Sequence, residues 1–234
     1  RWRMNDGTSY QVLQGAMKDI EEAGKVEASL MALIIPQLLV SSNDPQATAQ
    51  AQNLHYTTEA YRLSSLLQLY ITFPDLRDCR LSTTCKESSR PTGPEFLTSL
   101  ALSITDVLKK VPARGLGCIQ PLVCLCAGSG LRYDRKAPLR QDSRSYLLAT
   151  DLSSTESLVI DQVSMSTLTR ISAARQFVMD RLEELEEYLP PKPIGVAKQL
   201  IQEVWKAYDE EIELPRRTHW LDVMDRTGLH SLFG

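Results

Sequence analysis

The sequence contains no CxxC, only three histidines and no uninterrupted hydrophobic stretch long enough to cross a bilayer, and each gap removes a class of chemistry. Five cysteines, Cys79, Cys85, Cys118, Cys124 and Cys126, are odd in number and irregularly spaced over 234 residues. They do not read as a disulfide framework. Without a CxxC, neither a zinc ribbon nor a thioredoxin-like motif can be built. Reduced thiols are the expectation, and Cys118, Cys124 and Cys126 sit in an apolar run, where free cysteine packs as a small hydrophobe. No two of His55, His219 and His230 stand four apart. His219 and Asp222 alone have ligand-like spacing, and the pair reads as surface chemistry rather than a metal site.

Nucleophile and phosphate motifs are missing as well. There is no G-x-S-x-G elbow. Gly128-Ser129-Gly130 lacks the further glycines or the Lys-Ser/Thr of a phosphate loop. It reads as a turn between a buried segment and a basic stretch. Two uncharged runs stand out, Ala28–Asn43, interrupted by Pro36, and Gly115–Leu131, with four glycines and Pro121. Both are too short and too broken to span a membrane, and buried core is the expectation for each. No apolar h-region follows the N-terminus, so no signal peptide is expected. A chain opening on Arg1 reads as a piece of a longer protein.

Charge is scarce in net terms. With 26 basic and 29 acidic side chains the formal charge is −3, which argues against nucleic-acid binding by bulk electrostatics. Residues 1–150 balance at +3 and residues 151–234 at −6, a split read as solvated helix faces. Apolar residues at 43% with 24% charged describe an ordinary globular chain, long enough for a real core.

What is present is helical periodicity. Asp44-Pro45 reads as an N-cap and first-turn proline. Behind it Ala47, Ala51, Leu54, Tyr61, Leu63, Leu66, Leu67 and Tyr70 predict one buried stripe ending near Phe73, before Pro74. Thr92-Gly-Pro-Glu95 has capping-box form, followed by Leu97, Leu100, Ala101, Ile104, Val107, Leu108 and Val111 up to Pro112. Ile119–Ala127 predicts a buried helix. Ser153 and Glu156 head a long helix whose stripe is Leu168, Ile171, Val178, Leu182, Leu185 and Leu189, interrupted by Arg175. Asp180, Glu183, Glu184, Glu186 and Glu187 form its solvated face, where nothing would tune a carboxylate for acid–base work. Pro190, Pro191 and Pro193 break that helix. Ala197, Leu200, Ile201, Val204 and Tyr208 carry the next, and Trp220, Val223 and Met224 a last short one stopped by Gly228. Polar stretches near 77–93 and 132–146 read as loops. The second is basic, with Arg132, Arg135, Lys136, Arg140 and Arg144, but lacks interleaved aromatics beyond Tyr133 and Tyr146 and reads as solvated. Trp205, Tyr208, Trp220 and Phe233 cluster toward the C-terminus and read as core, or as walls of a pocket together with 119–131. The expected fold is all-α, an irregular array of amphipathic helices in one globular domain over residues 1–234.

Four segments in order carry a family resemblance. The string from Thr218 to Gly234, with Trp220, Met224 and Leu232-Phe233-Gly234, resembles the closing segment of the fungal-specific transcription factor domain, the regulatory region downstream of Zn2Cys6 clusters. Ala60–Tyr70 with Phe73-Pro74 is similar to that family's helix before its variable loop. Gln120–Arg132 is similar to its Pro-Leu…Ala-x-x-x-Leu-Arg segment, and Ala174–Arg181 with Glu203-Val-Trp205 to its penultimate helices. The resemblance is clearest over 54–234. It implies a nuclear, non-enzymatic domain that regulates RNA polymerase II transcription through protein partners, a homodimer among them, with room for an effector. The six-thiolate cluster is missing from this chain, so zinc and DNA contact are expected only through a cluster upstream of Arg1. No catalytic, metal-ligating, DNA-binding or ligand-binding residue is assigned here, and no membrane contact is expected. Two other readings stay open: a helical metabolite-binding protein or enzyme of a biosynthetic pathway, and a cluster-less corepressor.

Overall fold

The computed structural model describes residues 6–33, 35, 45–84, 91–114, 117–133, 154–210 and 219–230. Among them there are eight helices and no strand: α1 (Asp6–Ala32), α2 (Pro45–Thr72), α3 (Pro74–Thr84), α4 (Gly93–Leu108), α5 (Gln120–Gly130), α6 (Ser154–Glu186), α7 (Pro191–Glu210) and α8 (Trp220–Thr227). The all-α expectation holds. Among the described residues no helix is long and apolar enough to cross a membrane.

The architecture is built around α5. Every residue of this short helix except Leu122 is buried, and α2, α4, α6 and α7 all pack on it. A helix apolar on all sides must be enclosed, since no face tolerates water. Side-chain bonds fix the directions. Thr98, early in α4, reaches Gly130 at the end of α5, and Gln120 at its start reaches Pro112 beyond α4. Arg175 on α6 reaches Leu131, and Arg181, further along, reaches Gln120. Both α4 and α6 therefore run antiparallel to α5. One apolar cluster joins Ala60 and Leu67 of α2, Ile104 and Leu108 of α4, Val123 and Leu125 of α5, Val178, Leu182 and Leu185 of α6, Leu200, Ile201 and Val204 of α7, and Trp220 and Val223 of α8.

Several boundaries agree with the sequence. Pro45 opens α2, and α2 ends before Pro74. The Thr92–Glu95 capping box forms with both bonds present, and Gly228 closes α8 in the left-handed region at φ 70°. Ser153 of the second predicted box and Asp44 lie outside the described residues.

Other expectations are corrected. The stretch near 77–93 is not loop throughout: residues 77–84 belong to α3, because Pro74 starts a helix as readily as it ends one and Leu81 supplies a buried apolar contact. Of the second loop, only Arg132 and Tyr133 are described, and they are not helical; 134–146 lie outside. Gly128-Ser129-Gly130 is the last turn of α5 and fully packed, not a connecting turn. Pro191 and Pro193 sit in the first turn of α7, where a missing N–H costs nothing. The helix begun at Thr92 stops at Leu108, short of Pro112. On α2, Leu54 and Tyr61 face solvent, about half exposed, while Thr57, Ala60 and Ser64 line the inner face. Small side chains there let α4 and α5 approach closely. The run from Ala28 is not core as far as it is described: Met31 and Leu33 are about half exposed at the end of α1.

Candidate functional site

Among the described residues, the most elaborate constellation surrounds the C-terminal end of α5. A helix leaves its last four carbonyls without intrahelical partners, and burying them unpaired would cost on the order of 1–3 kcal/mol each. Here side chains from neighbouring helices supply the donors. Trp205 Nε1 of α7 donates to Gly128 O at 2.9 Å, and the Tyr208 hydroxyl donates to Ser129 O at 2.9 Å. Thr98 Oγ1 of α4 donates to Gly130 O at 3.3 Å, and Arg175 Nε of α6 donates to Leu131 O at 3.0 Å. From α2, Gln68 Nε2 donates to Cys126 O and to Ser129 Oγ, at 3.3 and 3.1 Å. Gln68 Oε1 in turn accepts from Trp220 Nε1 of α8 at 2.9 Å. Five helices thus converge on one helix terminus.

Arg175 is the charged member of the group. Its guanidinium binds the Asp209 carboxylate at 2.7 and 3.1 Å in a bidentate pair. It lies 4.2 Å from the Tyr133 ring centroid and 4.9 Å from that of Trp205. A planar cation held by a fork and flanked by two aromatic faces is the arrangement arginine serves and lysine does not. At the other end of α5, Arg181 donates to Val111 O and Gln120 Oε1, both at 2.7 Å. The α6 helix therefore brings one buried arginine to each end of α5.

The glycines of the Gly128-Ser129-Gly130 turn set the helix spacing. A Cβ on Gly130 would stand 2.8 Å from Ala101 Cβ and 3.0 Å from Leu67 Cδ2; one on Gly128 would stand 3.2 Å from Ile201 Cγ2. The motif is a close-packing device between α5 and its neighbours.

The other singled-out residues fall into place. His219 caps α8, with Nδ1 accepting from Leu221 N at 3.1 Å while Asp222 Oδ2 accepts from His219 N at 3.3 Å. The ligand-like spacing of that pair is a capping box. His55 is half-buried beside Tyr56, and His230 is exposed. Cys124 and Cys126 are buried, and desolvation pushes both thiols up to about 12; Cys79 and Cys118 are exposed. Glu183, Glu184 and Glu187 are exposed, and Glu186 pairs with Lys198 at 3.0 Å. Trp205, Tyr208 and Trp220 do converge on α5, with their N–H and O–H groups engaged as above. Phe233 lies outside the described residues.

Arg175 and Arg181 are site residues that periodicity passes over, although Arg175 is visible as the break in an apolar stripe. Gln68 and Thr98 leave no such mark. One further feature is unannounced. Among the described residues, the anchors of α1 lie in its C-terminal half: Ala23, the Tyr70–Glu27 bond and the bond from Arg62 to Leu30 O. Val12, Leu13 and Met17 in its first half are 60–72% exposed.

Residues 162–234 match the family model of the fungal specific transcription factor domain. The matched segment carries Arg175, Arg181, Trp205, Tyr208 and Trp220, the side chains that grip α5. The match supports a transcription-regulator role and points away from catalysis. No curated protein and no solved structure matches the chain. The zinc cluster that accompanies this family does not fit the cysteines described here. Cys124 and Cys126 stand two apart on α5, about 200° around the helix axis, both enclosed. No step through zinc follows for this chain.

Proposed function

We propose that this chain is the regulatory and interaction domain of a fungal RNA polymerase II transcription factor, acting in the nucleus through protein contacts, a second copy of the chain among them. The observation that carries the reading is the match over 162–234. Packing supports extending the domain back to α2: among the described residues one apolar cluster joins α6, α7 and α8 to α2, α4 and α5. DNA contact, with its zinc, belongs in this reading to a cluster upstream of Arg1.

A tethering assay tests it. The chain is fused to an unrelated DNA-binding domain and placed upstream of an RNA polymerase II reporter in a fungal host. Reporter output is expected to move severalfold, up or down, relative to the DNA-binding domain alone. Glu183→Lys, on the solvated face of α6, is expected to keep the effect. Leu182→Asp is expected to abolish it, because Leu182 is fully buried and an unpaired charge there costs more than about 3 kcal/mol. An unchanged reporter at matched protein level contradicts the reading.

A further inference from the structure

α8 is the last described helix, and its attachment has a titratable element. It is eight residues long, too short to be stable alone. It is held by burial of Trp220, Val223 and Met224, by packing on α7, by the Trp220–Gln68 bond and by its N-cap. The cap is a histidine. His219 has extended backbone (φ −74°, ψ 145°), and its Nδ1 lone pair accepts the Leu221 N–H. Only the neutral ring has such a lone pair. The imidazolium is a donor at both nitrogens, and its charge would face the partially positive end of α8.

We propose that His219 makes α8 a proton-released strap: the neutral imidazole caps the helix and keeps Trp220 on Gln68, and protonation removes the cap and frees α8 from the α2–α5 core. Because Gln68 also donates to Cys126 O and Ser129 Oγ, release of Trp220 is felt at the C-terminal end of α5. Burial of the ring favours this direction. Half-burial holds the His219 imidazole below its ordinary 6.5, with Asp222 of the same helix opposing. On the elements meeting α8, Asp209 of α7 is bound by Arg175 and Glu59 of α2 by Arg62, so each of these carboxylates has its charge matched by a neighbouring guanidinium. Since the docked form disfavours the proton, docking is complete above the free imidazole value near 6.5 and weakens as pH falls below it.

Hydrogen exchange on the full chain decides the matter, with rates at pH 7.5 and 5.5 corrected for intrinsic exchange. α4 serves as the internal control, because its Thr92 cap does not titrate in this range. Protection of α8 amides in the unmodified chain is expected to drop severalfold, up to about tenfold, relative to α4, the ceiling set by a free imidazole titrating one unit above the lower pH. His219→Asn, a capping residue without a proton to gain, is expected to remove the drop. His219→Ala is expected to leave α8 weakly protected at both pH values. If α8 follows α4 in the unmodified chain, or if His219→Asn shows the same loss, the strap is refuted. Should His219→Ala fail to fold, the first two measurements still decide.

Discussion

Gly130 shows how narrowly individual positions are constrained. A methyl group there meets Ala101 Cβ at 2.8 Å, too close for either helix to yield cheaply. Gly130→Ala is expected to cost about 1–3 kcal/mol, read as a fall in the thermal midpoint. Gly195, in α7 with nothing within 4 Å of an added Cβ, is the counterpart. Gly195→Ala is expected to stabilise by about 0.4–1 kcal/mol in the same melt. Arg175 is constrained by charge rather than space. Arg175→Met would remove the bond to Leu131 O and the fork on Asp209, and chemical denaturation is expected to show a loss of about 2–4 kcal/mol. Arg175→Lys is expected to recover little of that, since an ammonium can neither fork onto Asp209 nor lie flat between Tyr133 and Trp205.

The helices were legible in the sequence where periodicity and caps coincided. α4 is the clearest case, with Thr92, Pro94 and Glu95 at its head and a clean apolar stripe behind them. α3 was hidden because its polar composition resembles a loop and its helical state depends on tertiary contacts at Leu76 and Leu81. α2 is legible in the sequence, but its inner face is only partly so. Its buried side is lined by Ala51, Thr57, Ala60 and Ser64 as well as by leucines, so an apolar count points to Leu54 and Tyr61, which are exposed. The grip on the end of α5 was legible only as anomalies, an arginine in an apolar stripe and aromatics near the C-terminus, because which carbonyls lack partners is decided by packing. No apolar stripe marks α1 as a helix, the buried-core expectation at its end from Ala28 fails, and its attachment among the described residues rests on few groups. The Tyr70 hydroxyl donates to Glu27 at 2.5 Å, and burial together with that carboxylate holds the phenol well above its ordinary 10. The sign follows: this contribution is fully present below pH 10 and is lost as pH rises through the higher folded value. Tyr70→Phe is expected to speed limited proteolysis within α1 several-fold while leaving cleavage within α5 unchanged.

For the molecule as a whole, the family match covers the last third of the chain while the packing does not divide there. α6 and α7 present their apolar faces and their polar donors to α5, α8 packs on α7 and reaches Gln68 of α2, and α2 and α4 close the other side of α5. Because the matched segment is half of one close-packed core, neither half can repack alone. Scanning calorimetry of the full chain tests this most directly. A single transition is expected for α2–α8, with van't Hoff and calorimetric enthalpies equal once the loosely held α1 is allowed for. Two resolved transitions, one for α2–α5 and one for the matched α6–α8 segment, would contradict it.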